Sequence, residues 1–102
     1  MALSKFAFIV KGEGYVPSQH SAEMSSDSFM TLIYGVSNLD SAKKVSQKLV
    51  SEKIQLIELC GGFSLEEAEA IRQHIANAVP VGLVTYSKSE ELELQRLFKP
   101  AI

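Results

Sequence analysis

Four stretches of the chain are continuously apolar and too short to be helices: Phe6 to Val10 (FAFIV), Met30 to Val36 (MTLIYGV), Gln55 to Cys60 (QLIELC) and Val81 to Tyr86 (VGLVTY). β-Branched and aromatic residues crowd them, and none alternates cleanly with polar positions, as expected of strands covered on both faces. Between them the period changes. Leu39, Ala42, Val45, Leu49 and Val50 fall on one helical stripe with Lys43, Lys44, Gln47 and Lys48 outside it; Ala68, Ile71, Ile75, Ala78 and Val79 form a second stripe. A weaker third helix spans Ser89 to Phe98 and stops before Pro100. Each helix start reads S-x-x-[DE], at Ser37–Asp40, Ser64–Glu67 and Ser87–Glu90, the pattern of a capping box.

This order predicts a single α/β domain over residues 1–102: a three-layer α-β-α sandwich, half of a flavodoxin-like fold. Its small, mostly parallel sheet has about four strands in the order 2-1-3-4, joined by right-handed crossovers. The segment Gly12 to Phe29 (GEGYVPSQHSAEMSSDSF) fits least well. Pro17 suits the first turn of a short helix running through Met24, which would make strand two parallel to strand one. If the segment is only a loop, the pair can be antiparallel.

Composition narrows the function classes. The 102 residues carry 10 Lys+Arg against 12 Asp+Glu, a net charge of -2 with no basic block, so a nucleic-acid backbone has nothing to grip. No window approaches the ~20 apolar residues of a membrane span, so no membrane contact is expected. One cysteine excludes an internal disulfide and a multi-cysteine metal site and fits a reducing cytosol. No metal or other cofactor is called for: Gly12-x-Gly14 lacks the third glycine of a dinucleotide fingerprint, no P-loop lysine is present, and Phe63 stands where a Cys-x-x-Cys motif needs its second cysteine.

Parallel sheets bind ligands beyond the carboxyl ends of their strands. That rim is expected to carry Gly12, Gly14, Tyr15, Gly61, Gly62 and Tyr86, with two glycine turns whose amides can approach a small anionic metabolite at a helix N-terminus. The stretch IELCGGF at 57–63 adds two reactive candidates. Cys60, just before a helix start, is either an activated thiol served by His20 or a small buried hydrophobe. Glu58 shares its face by the two-residue period; it is either a general acid/base, the partner of Lys5, Lys11 or Lys53, or a sheet-edge carboxylate that reaches water. The leading expectation is therefore a metabolite-binding module. Its rivals are an enzyme using Cys60 or Glu58 with His20, and a structural or partner-binding subunit. A small sheet with two open edges also suggests a homo-oligomer.

The layout KFAFIVKGEGY at 5–15, His20, GVS at 35–37, QLIELCGGF at 55–63 and VPVGLVTY at 79–86 resembles a family of small single-domain prokaryotic proteins of unknown function. That resemblance implies a fold and no reaction. The IEL strand before a glycine turn is also similar to strands of aldolase-type β/α barrels, of which so short a chain could supply only a part.

Overall fold

A computed structural model describes residues 2–98. The chain runs β1 (Lys5–Lys11), β2 (Ser21–Ser25), β3 (Met30–Val36), α1 (Leu39–Ser51), β4 (Leu56–Leu59), α2 (Leu65–His74), β5 (Val81–Leu83) and α3 (Lys88–Phe98). One sheet contains all the strands in the order β2-β3-β1-β4-β5. β3, β1, β4 and β5 are parallel neighbours, and β2 adds to β3 antiparallel.

The expected four strands and order 2-1-3-4 are thus corrected by one edge strand. The residues read as a helix through Met24 are a turn followed by β2, all of it exposed. Tyr15 N–H donates to the Gly12 carbonyl, and the Gln19 and His20 amides both donate to the Val16 carbonyl, closing compact turns in place of a helix. The expected second strand is β3, which is parallel to β1, yet no helix makes the connection.

Both interior helices lie on one face. The steps from β3 over β1 to β4 and from β4 to β5 advance in the same direction, so right-handed crossovers put α1 and α2 side by side. Ala7, Ile9, Val36, Ile57, Leu59 and Val81 from the sheet meet Ala42, Val45, Leu49, Ala68, Ile71 and Ile75 in a single core. α3 buries no residue, and the molecule measures 49 × 27 × 26 Å. The second helical layer expected of a three-layer sandwich is absent among the described residues.

The helix ends follow local chemistry. Ser64 forms a complete capping box with Glu67. At α1 the cap is Asn38, whose side chain accepts from Ser41 N–H, rather than Ser37. Ser87 accepts from Glu90 N–H at the start of α3. α2 stops at Ile75 because Ala76 and Asn77 adopt left-handed φ values of 53° and 55°, which turn the chain toward β5. Ala78 and Val79 therefore leave the predicted stripe. The strand ends also contract, to Leu59 and Leu83. The expected stop before Pro100 lies outside the described residues.

Candidate functional site

Alternation along β1 separates Ala7 and Ile9, in the core, from Phe6, Phe8 and Val10 on the other face. The register carries that second face across the sheet. Phe8 lies beside Ile33 and Glu58, Ile33 beside Ala22, and Glu58 beside Gly82. One step toward the strand ends, Val10 pairs with Gly35, the His20 carbonyl accepts from Gly35 N–H, and Cys60 N–H donates to the Ile9 carbonyl. His20, Gly35, Val10 and Cys60 thus form one row across four strands.

Glycines on and above this row leave space for two tyrosines. A Cβ on Gly35 would stand 2.8 Å from both Cγ and Cδ2 of Tyr15, and one on Gly12 would stand 2.8 Å from its Cε2. The Tyr15 ring therefore rests on two residues that have no side chain. Tyr86 covers Gly61 in the same way, its hydroxyl 2.8 Å from where a Cβ would be. Gly14 has φ 82° and open space around it, so its role is the turn itself.

Tyr15 borders a pocket of about 230 Å³ lined by Val10, His20, Ser21, Ala22, Ile33 and Gly35. The His20 ring lies 5.3 Å from the Tyr15 ring between centroids, tilted by 45°. Its Nδ1 accepts from Val16 N–H at 2.8 Å. In the neutral ring the proton then sits on Nε2, which faces no acceptor among the described residues. The pocket thus combines an apolar floor with one fixed donor.

The IELCGGF segment is organised differently from this pocket. Cys60 is half-buried, and its Sγ accepts from Lys11 N–H at 3.2 Å. Three interstrand spacings separate it from His20, roughly 14 Å between Cα atoms, so within one copy the two do not meet. Glu58, two residues below Cys60 on the same face, lies over Gly82, with Cγ 3.6 Å from the position of a Cβ there. It makes no ion pair among the described residues. Lys11 reaches Glu67 on the helical side, and Lys5 donates to the Glu52 carbonyl.

The start of α2 already holds an anion. Glu67 accepts from Ser64 N–H at 2.9 Å and from Lys11 Nζ at 2.8 Å. The lysine bond first, and the Ser64 amide second, hold its carboxyl below the ordinary range. Lys11 also sits 5.6 Å above the centre of the Phe63 ring. A helix terminus expected to attract a metabolite is thus served by the chain's own carboxylate. Among the described residues, no three His, Cys, Asp or Glu side chains gather closely enough to hold a metal. No helix among them is long and apolar enough to cross a membrane.

Of the expected site residues, the fold brings Tyr15 and His20 to one pocket, seats the Tyr15 ring against Gly12, and leaves Cys60, Gly61, Gly62 and Tyr86 at a second turn. Sequence reasoning missed Val10, Ser21, Ala22, Ile33 and Gly35 as pocket residues. One of them had a signal: Gly35 interrupts an otherwise apolar strand, and a strand glycine often marks a close approach.

Residues 4–99 match the model of the DUF6506 family of unknown function, and the chain belongs to that family. Among curated proteins, none matches it significantly.

Proposed function

We propose that this member of the family binds a small, chiefly apolar organic acid in the pocket between Tyr15 and His20. The reading keeps the ligand class expected of the rim and moves its position toward β2. The observation that carries it is the exposed His20 ring, fixed through Nδ1 by Val16 N–H so that Nε2–H is free to donate, beside an apolar floor that Tyr15 borders. Val10, Ala22 and Ile33 would take the carbon skeleton, and Nε2–H would take the acid. The volume of about 230 Å³ falls below the ~300 Å³ at which sites for drug-sized molecules begin, which selects a metabolite of few carbons. Gly12, Gly14 and Gly35 act through the placement of Tyr15, while Gly61, Gly62 and Tyr86 build the neighbouring turn.

The test is amide NMR with a panel of short branched and aromatic carboxylates. Saturable shifts confined to Val10, His20, Ala22 and Gly35, lost in His20→Ala, are the expected result. Shifts that never saturate, or that survive His20→Ala unchanged, would refute the proposal.

A further inference from the structure

The sheet face that carries the pocket is left open in one copy of the chain. It presents half-buried Phe6, Phe8, Val10 and Leu56 in its middle, with Ile33 37% and Met24 70% exposed toward its edge, and no described helix packs on it. Mostly parallel sheets are stable when both faces are covered. The face measures roughly 24 Å across five strands and about 20 Å along β1, from the usual strand spacing and rise. Two such faces in contact give a footprint of roughly 1,000 Å² before side-chain relief is counted, which reaches the lower limit for a specific interface.

Charge selects the partner and its orientation. Among the described residues the face bears one acidic side chain, Glu58 on β4, and one imidazole, His20 beside β2. They lie on opposite sides of the central strand β1, roughly 16 Å apart within a copy by strand spacing and rise. A twofold axis running along β1 stacks β1 on β1 and lays the partner's β4 over β3. Glu58 of the partner subunit then comes over Ile33, at the mouth of the His20 pocket. An axis across the strands would instead bring the two Glu58 carboxylates together on an apolar surface, which is costly. From this self-complementarity we infer that a second copy of the chain covers the open face, sheet on sheet, with each Glu58 accepting from Nε2–H of the other copy's His20.

The pairing closes each pocket with a residue from the other subunit. It deepens the ligand reading without depending on it: a bound acid and the partner's carboxylate use the same donor, so ligand and dimer should exclude one another.

The experiment reads mass by light scattering and the His20 titration by NMR, both without added ligand. Wild type is expected at twice the chain mass. Phe8→Thr, on the axis, is expected to be monomeric with an unchanged circular dichroism spectrum; Ile33→Thr, at a more exposed position, replaces it if that variant fails to fold. In the dimer, Glu58→Gln should lower the His20 midpoint by about one pH unit, because a carboxylate near an imidazolium holds its proton. Within one copy the titratable side chain stacked on His20 is Tyr15, and Glu58 is too distant for that effect, so the same substitution should leave the midpoint unmoved in the monomeric variant. A monomeric wild type would overturn the inference. So would a dimer that survives Phe8→Thr but is lost on Leu97→Ser, which would put α3 in the interface, or a dimer whose His20 midpoint ignores Glu58→Gln.

Discussion

Gly35→Ala is the sharpest test of how Tyr15 is held. The new methyl carbon would lie 2.8 Å from Cγ and Cδ2 of Tyr15 and 3.1 Å from its Cβ, where ordinary contacts begin near 3.4 Å. Rotating the ring cannot relieve the overlap with Cγ and Cβ, because both atoms lie close to the backbone. The segment carrying Tyr15 must therefore move by more than half an ångström, or the ring must leave its seat. Overpacking of this kind costs about 1–3 kcal/mol. Alanine in a strand recovers roughly 0.5–1 kcal/mol relative to glycine, which leaves a net loss of about 0–2.5 kcal/mol. For a domain near 100 residues that is a fall in Tm of up to roughly 20 °C. Urea and thermal melts of four proteins, wild type, Gly35→Ala, Tyr15→Ala and the double variant, form a cycle that isolates the contact. In the Tyr15→Ala background, Gly35→Ala should be neutral or stabilising. Equal destabilisation in both backgrounds would show that the glycine is not there for the ring and would refute the reasoning.

Other outcomes follow from features away from the pocket. Ser64→Ala should cost about 1 kcal/mol in urea melts, and combining it with Glu67→Gln should cost less than the sum, since the two side chains form one cap. The folded pKa of Glu67 lies below the ordinary 4.5, so its contribution is present above that value and is lost as pH falls through the lower folded value. Glu67→Gln should therefore destabilise at neutral pH and converge with wild type in acid, measured by melts across pH. α3 buries no residue, and a helix of its length is marginal alone, so its amides should exchange with little protection compared with those of β1. Cys60 is half-buried with its Sγ bonded to Lys11 N–H, so iodoacetamide should modify it more slowly in the folded chain than in denaturant.

The parts of the fold that were legible were those in which one physical signal acted alone. The apolar runs of β1, β3 and β4 had no competing reading, and the core stripe of α1 needed only its 3.6-residue period. Ser64-x-x-Glu67 fixed its cap because both side chains were free to serve it. Ser37-x-x-Asp40 failed because Asn38, one residue on, is at least as good a cap and took the position. β2 was illegible for a different reason. SAEMS has little strand propensity and no buried residue, and its conformation comes from pairing with β3, a tertiary effect that its own sequence does not carry. Continuous apolar strands imply cover on both sides, and that signal does not say whether the cover comes from the same chain. The pocket depended on the same unseen strand: once β2 lies beside β3, His20 stands next to Gly35, whereas the sequence invited a search for His20 beside Cys60.

The two outer strands bear on how the protein keeps from polymerising. β2 ends the sheet with exposed serines and Glu23, and β5 ends the other side after three residues. A polar strand and a very short one are poor templates for adding another strand, so ladder growth into fibrils is discouraged at both borders. A β2 made more apolar, for example by Glu23→Val with Ser25→Val, should leave the monomer's core intact while turning a guarded border into a nucleus for amyloid.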